Sequence, residues 1–317
     1  MRVVGEGLFA VVEPVFRHLR RDPAPAADLT LLLWDHGDSG VAPPPRPWVA
    51  ESEGPMGRVA NYGGERFEAL IDVGGGQVWM LDRLRGMGFL WVRGAANLPP
   101  WDRVHPMRQL LAAWADWQGM QLVHGGAVGF GGLGALLVGP GGSGKSTSVL
   151  ACIGAGARTV GDDCVLVGPG DPPVAHSLYG TMRLYESHTR RFPLLMPESD
   201  WVAPGADGSP KLTANMGSRR PESMLASLPL AAIVVPGVGA RGPTRIHRVN
   251  GGAALFALAP NTLKQTDPTS RTAFERLARL CKVLPCWRLE LGADLGAVAV
   301  EIQRAIAAST GAASAGG

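Results

Sequence analysis

Cysteine is scarce in this chain, with four in 317 residues. Cys152 and Cys164 fall in apolar segments that read as helix and strand, where a free thiol packs as a small hydrophobe. Cys281 and Cys286 stand five apart with no second Cys or His pair, which argues against zinc. A bridge between these two stays open, but a reducing compartment disfavours it. An excess of one charge is missing too. Lys plus Arg number 30 against 27 acids, interspersed to a net charge of +3, so no nucleic-acid-binding face is expected. The basic cluster at 17–21 reads as the solvated end of a short helix. No apolar run approaches the roughly 20 residues that cross a bilayer, so no membrane partner is expected. Glu6 and Glu13 near the start do not fit a signal-peptide layout, and the expected location is cytoplasmic. There is no internal repeat and no sustained heptad.

Glycine is abundant, at 44 residues. Residues 139–146 read Gly-Pro-Gly-Gly-Ser-Gly-Lys-Ser, a phosphate-binding loop of the form G-x-x-x-x-G-K-[ST]. An apolar run at 135–138 precedes it, and helical spacing follows from Lys145 to about Gly154. A strand thus delivers the chain to a loop whose small residues turn backbone N–H groups around phosphate oxygens. The helix then begins with its positive end facing the same anion. Gly139, Gly141, Gly142, Ser143, Gly144, Lys145, Ser146 and Thr147 form the candidate cradle. Lys145 is placed to reach the β- and γ-phosphates of ATP, and the Ser146 hydroxyl to ligate Mg²⁺. The bland alternative is a Gly-rich turn with a surface lysine, and the flanking strand and helix speak against it.

The chain divides near residue 105. Residues 1–104 alternate apolar runs at 29–34, 67–73, 78–81 and 89–93 with turn residues, including a Pro-rich stretch at 42–48 and Gly74-Gly75-Gly76. This is a small β-rich or α+β accessory domain, with one helix expected around 9–20. In the second domain, 105–317, a helix is expected from Pro106 to Trp117 with Leu110, Leu111, Trp114 and Trp117 at helical spacing. Strands at 121–123 and 127–130, the turn Gly131-Gly132-Leu133-Gly134 and the strand into the loop form a hairpin. Doubly wound folds usually feed such a loop from an isolated parallel strand, so the hairpin narrows the family. Further on, strands are expected at 228–235, 245–249 and 283–291, and helices at 252–258, 270–280 and 295–308.

His124, the hairpin, the phosphate loop, its helix, then Gly161-Asp162-Asp163 and a strand at 164–167 follow one another in a distinctive order. In this order the chain resembles the catalytic domain of HPr kinase/phosphorylase and its relatives, over residues 120–170, with weaker similarity beyond. It is especially similar to the shorter HPr-kinase-like serine kinases of peptide natural-product clusters. The resemblance implies an α/β fold: a P-loop domain like that of HPr kinase and phosphoenolpyruvate carboxykinase, carrying a small N-terminal domain. It implies ATP and Mg²⁺ as cofactors and a peptide or small protein with an acceptor serine as partner, and it leaves a homo-oligomer open.

Two carboxylates in extended backbone point to opposite sides and can take different jobs. The resemblance makes Asp162 the base that orients the substrate serine and puts Asp163 on the metal side, with the exchange of roles left open. A strand-initiating turn in which Asp caps backbone N–H groups is the structural alternative. His124 matches the family histidine before the hairpin, where an imidazole orients a carboxylate; a core histidine bonded to a carbonyl is the other reading. Asp162, His124 and Lys145 are therefore the expected catalytic residues, with Ser146 and Asp163 on the metal. Arg183 and Lys211 either neutralise phosphate or are solvated cations. Residues 175–183 lack the second signature of HPr kinases proper, so transfer is expected to run from ATP to the acceptor without phosphorolysis. The leading region is the expected docking place for an acceptor peptide, by strand addition to a sheet edge. Two readings stand beside the serine kinase: a nucleotide-binding regulator or scaffold without transferase activity, and a kinase of a small hydroxyl metabolite such as free serine.

Overall fold

Apolar runs punctuated by glycine and proline produce many short strands here, and stretches of helical periodicity cover them. The computed structural model describes residues 1–22, 26–42, 65–72, 76–196, 201–204, 208–239, 242–265 and 270–313. The Pro-rich positions 43–48 and the turn glycines Gly74 and Gly75 lie outside the described residues. The chain is mixed α/β and divides into two compact units, Met1–Gln118 and Gly119–Gly317. Among the described residues, no helix is long and apolar enough to cross a membrane.

The first unit is built on a five-stranded sheet. Its strands are β1 (Arg2–Val4), β2 (Thr30–Asp35), β3 (Phe67–Asp72), β4 (Gln77–Asp82) and β5 (Met87–Val92), in the order β1-β2-β5-β4-β3. β1, β2 and β5 run parallel, while β3 and β4 complete the sheet antiparallel. Its helices are α1 (Glu6–Phe16), α2 (His36–Ser39), α3 (Pro100–Val104) and α4 (Arg108–Trp117). Asp35 is buried and accepts from the backbone N–H groups of Gly37 and Ala95, both at 2.7 Å, which ties the end of β2 to the chain after β5. The arginines of the basic cluster are exposed, with Arg17 paired to Glu13 at 2.7 Å on the surface, whereas His18 is half-buried.

The second unit has a nine-stranded sheet. Its strands are β6 (Gln121–Val123), β7 (Gly125–Phe130), β8 (Leu133–Val138), β9 (Arg158–Gly161), β10 (Val165–Gly168), β11 (Val174–Ser177), β15 (Ser227–Gly237), β16 (Arg245–Val249) and β17 (Cys286–Glu290). The path is β6-β10-β11-β15-β8-β7-β9, with β17 beside β15 and β16 beside β17. β12 (Thr181–Tyr185), β13 (Trp201–Pro204) and β14 (Pro210–Asn215) form a separate antiparallel sheet. The helices are α5 (Lys145–Gly154), α6 (Glu186–Thr189), α7 (Met216–Arg219), α8 (Gly251–Gln265), α9 (Arg271–Val283) and α10 (Leu295–Ala313).

Both faces of the large sheet are covered, as its unbroken apolar strands require. Alternate residues of β8 point to opposite sides. Ala135 and Leu137 pack with Val149 and Leu150 of α5 and with Val298 and Ile302 of α10. Leu136 and Val138 pack with Leu258 of α8 and Leu277 of α9. The β7–β8 turn is tighter than expected: Phe130 pairs with Leu133, leaving Gly131 and Gly132 as a two-residue loop. Both glycines have positive φ, 60° and 90°, which matches the twist of a hairpin. The helix expected at 252–258 continues through Pro260 to Gln265. Burial of Leu258, Ala259 and Thr262 against the sheet holds the segment helical across the proline.

Candidate active site

Strand direction decides what meets at the site. β8 and β9 each run antiparallel to β7, so they run parallel to one another. β15 is parallel to β8, and β17 to β15. The C-terminal ends of these four strands and the start of β7 therefore share one end of the sheet. The phosphate loop leaves β8 there, the paired acids follow β9, His124 precedes β7, and Leu291 and Gly292 follow β17. A cavity of about 130 Å³ opens at this end, with Gly141, Gly142, Gly144, Lys145, Ser146 and Thr147 in its lining. His124 and Asp163 line it as well, opposite Arg183, Tyr185, His188, Arg191 and Lys211. The open end of parallel strands is where α/β sheets bind ligands.

The loop is held in a conformation that glycine alone takes easily. Gly142 and Gly144 have φ of 76° and 98°. A Cβ on Gly144 would also collide with Leu291 Cδ1. Lys145 is 5% exposed, and its ammonium donates to the carbonyl oxygens of Gly139 at 2.8 Å and Pro140 at 3.0 Å. Two of its three N–H donors are thus used by the loop itself. Burial pulls its proton affinity down, and the carboxylates of Asp163 and Asp162 push it back up. Asn261 Nδ2 on α8 donates to the same Gly139 oxygen at 3.3 Å, bracing the start of the loop.

The paired acids occupy the turn between β9 and β10 rather than continuous extended backbone. Asp163 has φ of 64°, a conformation uncommon for a residue with a Cβ. This turn separates the two side chains. Asp163 lines the cavity, whereas Asp162 is 1% exposed and does not. Neither Asp162 carboxylate oxygen makes a hydrogen bond of good geometry, although the Ser146 hydroxyl and the Asp163 backbone N–H lie near enough to act on its charge. Burial, and then the Asp163 charge, raise its proton affinity above the usual carboxylate range, against the lowering pull of the Ser146 hydroxyl and Lys145. A buried acid in this condition can take up a proton that an ordinary surface carboxylate would refuse.

His124 is fixed from two directions. Its backbone N–H donates to Thr262 Oγ1 at 3.1 Å, and its Nδ1 lies 3.0 Å from the Asp163 carbonyl oxygen and 2.8 Å from the Gln265 side-chain amide. Nδ1 thus meets the Asp163 carbonyl, which can only accept, and Gln265 Nε2, which can only donate, so the tautomer decides which of the two bonds is made. Burial lowers the imidazole to about 4, so it is neutral at physiological pH. The bond to a carbonyl and a place in the cavity wall hold together, so the two readings of this histidine are not exclusive.

Arg183 and Lys211 join the wall from adjacent strands of the small sheet. Arg183 faces Thr213 in the β12–β14 register, and Lys211 faces Tyr185 with its ammonium 4.7 Å from the ring centre. Asn261, Thr262 and Gln265 lie beyond the helix expected at 252–258, after Pro260, and carry no sequence signal of their own. Tyr185, His188 and Arg191 have no motif that marks them. The 130 Å³ cavity carries the cations of Lys145, Arg183, Arg191 and Lys211 against the single lining carboxylate of Asp163, so it favours anions.

No family model matches the chain, and no curated protein matches it. Among solved structures it is similar to the Hpr(Ser) kinase/phosphatase from Coxiella burnetii, at 10% identity over 58% of this chain and 95% of that one. The TM-score of that superposition is 0.32, too low to bear on fold or activity.

Proposed function

We propose that the chain is an ATP-dependent phosphotransferase that moves the γ-phosphoryl group onto an alcohol hydroxyl, a serine of a peptide or small protein. The observation that supports this most is the buried carboxyl of Asp162, its proton affinity raised, at the same sheet end as a complete phosphate loop. A nucleotide-binding regulator would use the loop equally well, but it gains nothing from an acid whose burial costs stability.

The loop amides and Lys145 bind the triphosphate and spread the charge that develops as the phosphoryl group moves. The cavity takes the phosphate end, with Arg183, Arg191 and Lys211 facing it. Ser146 and Asp163 offer oxygen ligands on its wall and suit an ion that keeps its water and phosphate ligands. Mg²⁺ held there would neutralise phosphate charge. Asp162 then takes the acceptor's proton at a carboxylate oxygen, for which its raised proton affinity suits it. Its enclosure favours a second reading of the pair, in which Asp163 takes the proton and Asp162 backs Ser146 on the metal side.

The test is incubation with γ-labelled ATP and Mg²⁺ against a panel of flexible serine peptides and free serine, with mass spectrometry of the products. Label on a peptide serine, abolished by Lys145→Ala, supports the proposal. Label on free serine alone points to the metabolite kinase. Nucleotide bound tightly with no transfer to any acceptor favours the regulator.

A further inference from the structure

A second and larger cavity, of about 720 Å³, lies at the opposite end of the same sheet. Its lining includes Gln121 at the start of β6, Leu133 at the start of β8, and Gly168 at the end of β10. The volume falls in the range of sites that enclose a ligand. Leu133, Leu230, Leu280, Val283 and Leu284 give it an apolar floor and wall. Val283 is 51% exposed although it is a large aliphatic side chain.

Two polar features of this cavity have no role in the phosphate site. Gln121 is 4% exposed and donates through Nε2 to the Leu122 carbonyl at 2.9 Å, which leaves its Oε1 as the free acceptor. That oxygen is buried with no hydrogen-bond partner, a cost that a ligand N–H would remove. Arg276 and Arg279 also line the cavity against the one carboxylate of Asp171, so its charge is positive. Arg276 is engaged with the Met120 carbonyl at 3.3 Å, whereas exposed Arg279 makes no ion pair among the described residues.

We propose that this cavity binds an extended peptide segment in which an apolar side chain stands next to a carboxylate. The apolar side chain fills the leucine-lined floor, a backbone N–H reaches Gln121 Oε1, and the carboxylate meets Arg279. A peptide is the occupant because its chain carries all three groups at one-residue spacing: an amide donor, an aliphatic anchor and an acid. The inference does not depend on phosphoryl transfer, since the two cavities share no lining residue.

The test is a ligand-observed NMR titration of the full chain without nucleotide, using the capped tripeptide acetyl-Gly-Leu-Glu-amide. Replacing Glu by Gln, or Leu by Ser, in the peptide is expected to weaken binding about tenfold each. Arg279→Glu, a change at an exposed position, is expected to weaken the parent peptide by about the same factor and to leave the Gln peptide unaffected. Gln121→Met is expected to weaken every peptide while holding or raising the unfolding temperature, because it removes a buried acceptor that nothing satisfies. The proposal is overturned if the parent peptide does not bind, or if Arg279→Glu leaves its affinity unchanged. It is equally overturned if octanoate, an apolar carboxylate without an N–H, binds as tightly as the peptide.

Discussion

Replacing Asp162 by Asn should make the protein more stable and, if this residue is the base, inactive. The carboxyl is 1% exposed, neither oxygen makes a hydrogen bond of good geometry, and burial raises its proton affinity in the folded state despite the nearby Ser146 hydroxyl. The sign follows from linkage. Below the ordinary carboxylate range the group is protonated whether folded or unfolded, and it costs no charging energy. As pH rises, the unfolded chain releases the proton first, and stability falls until the folded carboxyl is ionised as well. An isosteric amide removes that charge. The gain should be about 1–3 kcal/mol near pH 8, the scale of leaving a buried polar group unsatisfied, and should shrink toward zero near pH 3. At roughly 2–4 °C per kcal/mol for a domain of this size, calorimetry without nucleotide resolves it. Phosphoryl transfer should meanwhile fall about 10²–10⁴-fold with nucleotide affinity nearly kept. A variant that is less stable near pH 8 would refute the reasoning, because it would mean that the carboxylate is satisfied in the folded protein. Normal transfer would reassign the proton to Asp163.

Lys145→Ala should abolish nucleotide turnover, and calorimetry showing unchanged affinity for ATP with Mg²⁺ would remove the loop from the site. The transfer rate should fall on the acid side at a pH above the usual carboxylate range, because Asp162 must be ionised to accept a proton. His124→Gln should leave that limb where it is, since the imidazole is already neutral above about 4; a displaced limb in a pH–rate profile contradicts the assignment. Gln265→Ala should lower turnover about tenfold through a loosened His124, with nucleotide affinity unchanged by titration. Gly144→Ala should cost about 1–2 kcal/mol in urea unfolding, from its positive φ, with any further loss coming from the contact with Leu291.

The phosphate loop, the hairpin before it and the acids after it were legible because each is written in consecutive residues. Gly131 and Gly132 announce a turn, and residues 139–146 announce a cradle, whatever the rest of the chain does. The remainder of the site depends on strand pairing across long separations. Arg183 and Lys211 come together only because β12 and β14 pair antiparallel, and nothing in either segment specifies that partner. The C-terminal turn of α8 was hidden for a different reason. Proline lacks the N–H that continues a helix, yet packing of Leu258 and Thr262 outweighs that local loss, and the turn beyond it carries Asn261 and Gln265 to the loop and to His124. In the first unit, strands β2 to β5 follow the apolar runs, but the three-residue β1 is too short to show in periodicity, and its parallel pairing with β2 is set by α1 between them.

The hairpin explains why this site carries its acids where it does. In a sheet of alternating strands and helices, the strand next to the loop would itself be parallel and would end beside it. Here β7 occupies that place and runs the other way, so its start, not its end, faces the loop, and the residue just before it is His124. The next strand ending at the loop is β9, one position further out, and Asp162 and Asp163 follow it at once. Two strand spacings, roughly 10 Å, thus separate the axes of β8 and β9, and side chains from both must reach inward to meet. Asp163 enters the left-handed region as the turn folds back toward β7, and its carbonyl anchors the imidazole on the way. The strained residue, the buried acid beside it and the fixed histidine are consequences of one antiparallel strand inserted beside the phosphate loop.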